Sequence, residues 1–365
     1  MTATADLAPS PGRPWPAELE AVPLRPELEA HEPPEARGRG RDDVRLMVSR
    51  TAASEVSHHA FADLPDLLLP GDLLVVNNSA TLPAAIELPG GGTVHFSTAM
   101  PDGRWLVELR SGRGNATAPY QGGSGGQRLG LPGGIVLTLA DRFSQRLWYA
   151  TLSTAVIPYL LRHGRPIRYS YVPARWPLSA YQTVFATWPG SAEMPSAARP
   201  FSPEIVTSLV SRGIAVAPIT LHTGVSSLEG GEDPYPESYD VPPATARLVN
   251  LTRRSGGRVI AAGTTVVRAL ESAALDAAVL DAAVLDAARD RSVAASAGWS
   301  SHVVTPRTGV AVVDGLLTGL HEPQSTHLWM LAAFADEDLL ARCYAEAASV
   351  GYRWHEFGDV HLMLP

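Results

Sequence analysis

The hydrophobic residues of this chain fall into short, largely apolar runs that alternate with segments of helical character. A run of about four to eight apolar residues predicts a strand that is buried on both faces, as in a parallel sheet. The runs of this kind are Leu73–Val76, Ile214–Leu221, Val259–Ala262, Val310–Val313 and Val360–Leu364. Helical patterns occur at Ala60–Leu69 and at Pro203–Arg212, where Ser202 is the expected cap. This order of elements predicts an α/β domain with its ligand site at the carboxyl ends of the strands.

Between Pro83 and Arg168 the pattern changes to β-rich segments, such as TVHFSTAM, RWLVELR and RLWYATL, that are separated by glycine runs. Short strands at close spacing with glycine turns predict a small all-β module. We therefore expect three parts: a flexible tail at residues 1–20, a main α/β domain at 21–82 and 169–365, and an inserted β domain at 83–168.

The stretch from Gly257 to Ser272, GRVIAAGTTVVRALES, combines a buried strand, a glycine and the start of a helix. Thr264 and Thr265 follow Gly263, and either hydroxyl could cap the free amides of the first helical turn. Amides at a helix start attract an anion, and Arg268 one turn later adds a group suited to a carboxylate or phosphate. The alternative is an ordinary strand–helix turn with a surface ion pair between Arg268 and Glu271.

Polar residues also follow two other predicted strands. Asn77 and Asn78 come directly after one strand, and His222, Thr223 and Gly224 come after another. Side chains at these positions can line a ligand site at the edge of the sheet. The alternatives are asparagines that bond to their own backbone and a histidine with a structural role.

The composition narrows the classes of protein that remain. The net charge is −8 and the pI is near 5.8, so a nucleic acid would need a local basic patch. Arg37, Arg39, Arg41 and Arg45 form one basic cluster, which is either such a patch or a solvated surface. Cys343 is the single cysteine, which excludes an intramolecular disulfide and a cysteine-cluster metal site. No apolar stretch of about 18 residues predicts a membrane span, so we expect a cytoplasmic protein.

Six fragments of the chain occur in an order that resembles the S-adenosylmethionine:tRNA ribosyltransferase-isomerases of queuosine synthesis. They are GDLLVVNNSATLPA, YQTVF, LHTG, AAGTTVVRALES, VDGLLTGLHEPQST followed by HLWMLAAFA, and GYRWHEFGDVHLML. The resemblance extends from about Leu28 to the end of the chain. It implies a large α/β domain, built around a barrel-like sheet and interrupted by a small β-barrel, in agreement with the β-rich insertion.

The resemblance also implies a reaction in which S-adenosylmethionine is a substrate, with no metal. Its ribosyl part moves to the aminomethyl group of 7-aminomethyl-7-deazaguanine in tRNA and rearranges to an epoxycyclopentane, and adenine and methionine leave. This chemistry needs a base for the acidic proton beside the sulfonium, help for the departing adenine and a binding site for the methionine carboxylate. tRNA and S-adenosylmethionine are therefore the expected partners.

Residue chemistry suggests roles at the matching positions. His222 and His321 are suited to proton transfer, and Glu271, Asp314 and Asp359 could orient a histidine or the ribose hydroxyls. The candidate catalytic residues are His222, His321, Glu271 and Asp314. The candidate substrate-binding residues are Asn77, Asn78, Thr223, Gly224, Gly263, Thr264, Thr265, Arg268, Thr318, Ser325, Thr326 and Asp359.

The chain departs from the family pattern at several polar positions. Ala80 and Ala85 stand where the family usually has arginines in NNTRVIPAR, and fewer cations should weaken contact with a phosphate backbone. The family's PTAGLHF, HVGAGTF, HSE and TNFHLP read PSAARPF, HTGVSSL, PES and TGLHEP here. Two other interpretations therefore stay open: an S-adenosylmethionine-dependent enzyme with a different, small-molecule acceptor, and a binding module that has lost the chemistry.

Overall fold

The computed structural model describes residues 25–113, 116–225, 235–281, 292–321 and 326–365. The predicted tail at residues 1–20 lies outside these ranges. The strands are β1 (Arg45–Arg50), β2 (Glu55–Ala60), β3 (Leu73–Asn77), β4 (Ser79–Thr81), β5 (Ala85–Glu87), β6 (Thr93–Ala99), β7 (Trp105–Arg113), β8 (Ala116–Pro119), β9 (Arg128–Leu131), β10 (Ile135–Arg142), β11 (Leu147–Leu152), β12 (Trp188–Ser191), β13 (Ala215–Leu221), β14 (Glu237–Val241), β15 (Val259–Ala262), β16 (Ser296–Ser300), β17 (Gly315–Gly319) and β18 (Val360–Leu364).

Helices connect and cover these strands. The α-helices are α1 (Leu64–Leu67), α2 (Val156–His163), α3 (Pro203–Ser211), α4 (Pro243–Arg254), α5 (Thr264–Asp281), α6 (Thr326–Leu331) and α7 (Glu337–Val350). Short 3-10 turns occur at Pro26–Leu28, Pro34–Arg37, Phe61–Asp63, Pro132–Gly134, Leu178–Tyr181 and Ser196–Ala198. The predicted cap of α3 is confirmed, since the Ser202 side chain accepts a hydrogen bond from the Ile205 amide.

The larger sheet has nine strands in the order β16-β14-β13-β3-β15-β17-β18-β1-β2. Its centre, from β13 through β3 and β15 to β17, is parallel, and β14 and β18 flank it in antiparallel orientation. The sheet is barrel-like and nearly closed, which confirms the predicted α/β class. The carboxyl ends of β13, β15 and β17 meet at one edge of this sheet.

The central strands are mostly apolar because both of their faces are buried. Leu73 and Val75 of β3 pack into one hydrophobic cluster with α5 and α7, and the alternate residues Leu74 and Val76 pack into a second cluster on the other face with α3. A strand places successive side chains on opposite faces, so consecutive apolar residues suit a strand that is covered on both sides. Asn77, the polar residue at the end of β3, is buried with hydrogen-bond partners. Burial of both faces is the physical reason why most of the apolar runs predicted buried strands.

The smaller sheet contains β5 to β11 in the order β5-β6-β7-β11-β10-β9, with β8 paired to β7. Neighbouring strands are antiparallel, and the sheet has its own core around Phe96, Trp105, Leu137 and Trp148. The β-rich character expected for this region is therefore present. The division of the chain into domains at residues 83 and 168 stays a prediction.

Two predicted elements differ from the structure. Val310–Val313 is not a strand, and the neighbouring strand is instead β17, which begins at Gly315. The Glu271 carboxylate accepts the amides of residues 311–313, so these amides are not available to a neighbouring strand. The helix expected at Ala60–Leu69 is limited to a 3-10 turn and the four residues of α1.

Candidate active site

A cavity of about 600 Å³ opens at the edge of the large sheet where β13, β15 and β17 end. Residues after these strands form one side of it, and Thr98, Arg110 and Arg146 of the smaller sheet form part of the opposite side. The segment from Pro166 to Tyr181 and residues around His355 complete its wall. A cavity of this size accommodates a ligand with the dimensions of a nucleoside.

The turn between β15 and α5 brings a helix start to the cavity wall. Gly263 has a φ of +108°, a conformation that residues with a side chain rarely adopt, and it turns the chain directly from strand into helix. The Gly263 carbonyl accepts the Val266 amide, so the cap position falls on Gly263 and not on Thr264 or Thr265 as expected. All three residues line the cavity. The first amides of α5 therefore lie at the place predicted for an anionic group.

Arg268 lines the same wall but already has partners within the protein. Its guanidinium forms an ion pair with Glu237 and donates to the Ser300 carbonyl at 3.0 Å. The Glu237 carboxylate also accepts the Gly224 amide at 3.1 Å. Burial raises the pKa of Glu237, while Arg268 and the Gly224 amide lower it. Arg268, which was predicted as a lone cation, is thus paired with Glu237, and this part of the wall carries both a positive and a negative charge.

One donor of Arg268 remains unused among the described residues. Arg268 is only 9% exposed, and its Nε atom is buried without a hydrogen-bond partner among these residues. A buried donor without an acceptor is costly, and such a donor in a cavity wall is satisfied when a ligand supplies the acceptor.

His321 and His327 lie together on the wall next to β17. Their rings are stacked, with centroids 4.4 Å apart and an interplanar angle of 4°. The Nε2 atom of His321 is 2.8 Å from the Thr318 hydroxyl. Burial lowers the pKa of His321 well below its ordinary value and that of His327 to about 4. Both rings are therefore neutral at pH 7 and can accept a proton.

A further wall of the cavity consists of aromatic rings and carboxylates. The Tyr169 hydroxyl donates to Glu193, and the Tyr171 hydroxyl donates to Glu356 at 2.7 Å. The Tyr171 ring also stacks on His355, with centroids 3.8 Å apart. Neither the residues of this wall nor Glu237 were among the candidate site residues expected from the sequence. In the sequence this wall corresponds to the aromatic, proline-rich stretch that begins at Tyr169. The stretch has no helical or strand periodicity, so its place in the fold could not be predicted.

His222 does not line the cavity, although its neighbours Thr223 and Gly224 do. Its Nδ1 atom is 2.7 Å from the Ser79 hydroxyl, and its ring packs so closely on Gly190 that a side chain there would clash. Burial lowers the pKa of His222. The chain past β13 turns the His222 ring towards Ser79 and Gly190, and the next residues face the cavity.

Glu271 and Asp314 are also outside the cavity wall. The Glu271 carboxylate accepts three backbone amides, and burial raises its pKa. Asp314 precedes β17 and is bonded to the Val259 amide and to Arg253, at the opposite end of the strands. Of the four candidate catalytic residues, the structure thus places His321 in the cavity wall and the other three outside it.

The candidate binding residues divide in the same way. Gly263, Thr264, Thr265, Arg268, Thr223, Gly224 and Thr318 line the cavity. Asn77 and Asn78 are not part of the wall. The Asn77 side chain bonds to the amide and carbonyl of Leu221 in β13, and the Asn78 side chain accepts a hydrogen bond from the Thr220 hydroxyl. Asp359 accepts the amides of Arg45 and Arg353. Ser325 lies outside the described residues, and Thr326 is described only as the start of α6.

Among the described residues, no group of three or more histidine, cysteine, aspartate or glutamate side chains is arranged to hold a metal ion. No helix in the described part of the chain has the length and apolar character needed to cross a membrane.

The mixed sheet and the polar cavity at its strand ends, with paired charges and neutral histidines, define the class of this protein as an α/β enzyme with a polar ligand cavity at the strand ends. Comparison with known proteins names the family. Residues 22–363 match the family described as queuosine biosynthesis protein, and the chain belongs to this family.

Relatives and a solved structure extend the match over nearly the whole chain. The S-adenosylmethionine:tRNA ribosyltransferase-isomerase of Symbiobacterium thermophilum is 33% identical over 363 residues, which cover 93% of this chain and 97% of the relative. The enzyme of the same name from Geobacter sulfurreducens is 33% identical and covers 92% of this chain and 96% of the relative. The crystal structure of S-adenosylmethionine tRNA ribosyltransferase from Thermotoga maritima matches with a TM-score of 0.50 and 26% identity, over 94% of this chain and 98% of that one.

Proposed function

We propose that this protein is an S-adenosylmethionine:tRNA ribosyltransferase-isomerase. It transfers the ribosyl part of S-adenosylmethionine to 7-aminomethyl-7-deazaguanine in tRNA and isomerises it, and adenine and methionine are released. The names of the relatives support this activity. Action in the cytoplasm is part of the same proposal.

The observation that carries the proposal is the Arg268–Glu237 ion pair beside the start of α5 in the cavity wall. The methionine end of S-adenosylmethionine carries one carboxylate and one ammonium group. Arg268 and the first amides of α5 suit the carboxylate, and Glu237 suits the ammonium. A zwitterionic ligand thus meets a wall with both signs of charge, and the unused Nε donor of Arg268 gains an acceptor.

His321 is the residue that we assign to proton removal. The reaction needs a base for the acidic proton next to the sulfonium, and a base must be unprotonated before it acts. Burial holds His321 in its neutral form, and the bond to Thr318 fixes its ring orientation. His327, stacked on it, is neutral for the same reason.

Adenine release tests this function directly. The protein is incubated with S-adenosylmethionine and an anticodon stem-loop RNA that carries 7-aminomethyl-7-deazaguanine, and free adenine is measured by chromatography. We expect release that depends on this RNA and is absent with the same RNA carrying guanine. Release without RNA would contradict the proposed acceptor, and no release under any condition would contradict the enzymatic activity.

A further inference from the structure

Glu356 is a carboxylate in the cavity wall without a cationic partner among the described residues. It is half-buried, and its Oε2 atom accepts a hydrogen bond from the Tyr171 hydroxyl at 2.7 Å. It forms no salt bridge within the ranges that the structure describes, in contrast to Glu237 with Arg268 and Glu108 with Arg110 and Arg146. Burial raises the pKa of Glu356, while the hydrogen bond from Tyr171 and the charge of Arg199, which is not within ion-pair distance, lower it.

The Tyr181 hydroxyl, in the same wall, is an independent sign of a missing ligand. Tyr181 is only 4% exposed, and its oxygen is buried without a hydrogen-bond partner in the described part of the chain. Burial is the main cause that raises the pKa of Tyr181, and the negative charge of the nearby Glu356 raises it further. Buried polar atoms in native structures are nearly always paired, so this oxygen calls for a partner from the cavity.

The surrounding rings do not supply the missing cation. Tyr171 is stacked on His355, and Tyr169 lies 5.9 Å from Tyr171 between ring centroids. Burial, together with the nearby His31, lowers the pKa of His355 to about 4, so its ring is neutral at pH 7.

Two arginines act on these groups through their charge, but neither lines the cavity: Arg199 pairs with Glu35, and Arg168 donates to backbone carbonyls. The cavity side of the subsite therefore contains a carboxylate, a hydroxyl and aromatic rings. Cationic ligands bind such surroundings favourably.

We propose that Glu356 and Tyr181 bind the primary ammonium of the acceptor, the aminomethyl group of the deazaguanine; this inference rests on the proposed function. An ammonium offers three N–H donors, and the carboxylate and the phenolic oxygen are both acceptors. The sulfonium of S-adenosylmethionine has no hydrogen to donate and would leave the Tyr181 oxygen unpaired. The amino group of the methionine end is assigned to Glu237, beside Arg268.

The test compares two anticodon stem-loop RNAs by fluorescence anisotropy, without S-adenosylmethionine. One carries 7-aminomethyl-7-deazaguanine, and the other carries 7-cyano-7-deazaguanine, which keeps the heterocycle but has no ammonium. We expect the wild-type protein to bind the first RNA about 10- to 100-fold more tightly, the range for a hydrogen bond between charged groups. Glu356→Gln should reduce this ratio to near 1, and Tyr181→Phe should reduce it several-fold.

Matched variants separate the subsite from general effects. Glu346→Gln changes a carboxylate that pairs with His58 and does not line the cavity, and Tyr159→Phe removes a buried phenol that donates to the Pro132 carbonyl. Both should keep the wild-type ratio. If Glu356→Gln did not fold, the binding ratio of Tyr181→Phe alone would still test the subsite.

The two proposals can fail separately. A wild-type protein that shows no preference between the two RNAs, or a preference that persists in Glu356→Gln, would overturn the ammonium subsite even if adenine release were observed. A preference lost in Glu356→Gln would support the subsite even if no adenine were released.

Discussion

The Arg268 guanidinium and the Glu237 carboxylate meet in the cavity wall although 31 residues separate them in the chain. Arg268 comes from the first turns of α5, which follows β15, and Glu237 is the first residue of β14. Two strands, β13 and β3, lie between β14 and β15 in the sheet. The contact therefore depends on the fold of the whole sheet. It changes the expected role of Arg268 from a lone cation to one member of a pair.

Removal of either charge should weaken binding of the methionine end of S-adenosylmethionine. For Arg268→Gln and Glu237→Gln we expect affinity losses of about 10- to 100-fold, since each variant removes a charge-assisted hydrogen bond and leaves its partner unbalanced. Isothermal titration calorimetry measures the loss. 5′-Methylthioadenosine, which lacks the amino-acid end, is the control ligand and should bind wild type and variants equally. An equal loss for both ligands would contradict this assignment.

His321→Asn should lower the rate of adenine release by about 100-fold or more, the usual contribution of a positioned base. Thr318→Val should have a smaller effect, because it removes the bond that orients the ring but leaves the base in place.

The pH profile gives a second test. The pKa of His321 lies well below its usual value, so this base stays unprotonated on lowering the pH from 7.5 to 6, and kcat/KM should not fall through its titration. His58→Asn, on exposed β2, is the control. Normal turnover in His321→Asn would remove this residue from the mechanism.

The largely apolar runs predicted buried strands because a strand covered on both faces favours apolar side chains at consecutive positions, and β3, β15 and β18 were found in this way. The run Val310–Val313 looks the same in sequence but is not a strand. What differs is a long-range contact, since Glu271 takes the amides that a neighbouring strand would need. Local pattern cannot reveal a partner 40 residues away.

The candidate site was predictable where it depends on local chain direction. Gly263, Thr264 and Arg268 belong to one strand–turn–helix unit, and all line the cavity. His222 lies outside the cavity wall because its ring contacts Ser79 and Gly190, two partners that are distant in the sequence. Glu237 and Glu356 lie in two of the segments compared with the family, PES and GYRWHEFGDVHLML, but were not among the candidate residues, since each gains its partner only through the fold.

Glu271→Ala should reduce stability and leave the cavity chemistry of the folded protein unchanged. The carboxylate satisfies three backbone amides at residues 311–313, and unpaired buried donors cost about 1 to 3 kcal/mol each. We expect a loss of about 3 kcal/mol in the free energy of unfolding, measured by urea denaturation, with S-adenosylmethionine affinity maintained. Glu204→Ala, on the exposed side of α3, is the control and should be nearly neutral. Full stability with loss of turnover would instead favour the catalytic role first assigned to Glu271.

His361 should make stability fall with decreasing pH. Its ring is fully buried in β18, Nε2 lies 2.8 Å from the Ser49 hydroxyl, and Nδ1 has no partner among the described residues. Burial lowers the pKa of His361 to about 3. The unfolded chain binds a proton near its ordinary pKa of about 6.5, whereas the folded chain does not bind one until about pH 3. Between these values the unfolded state binds more protons, so stability decreases as the pH falls.

The size of this effect is about 1.4 kcal/mol per pH unit for one histidine. Urea denaturation of wild type and His361→Gln between pH 7.5 and 5 measures it as a difference in slope. The variant should lose less stability than wild type as the pH falls below about 6.5, whatever its stability at pH 7.5. The raised pKa values of Glu237, Glu271 and Asp359 act in the opposite direction but are common to both proteins and cancel. Identical slopes would show that His361 gains a proton in the folded state as readily as in the unfolded chain, because its ring then reaches water or a polar partner.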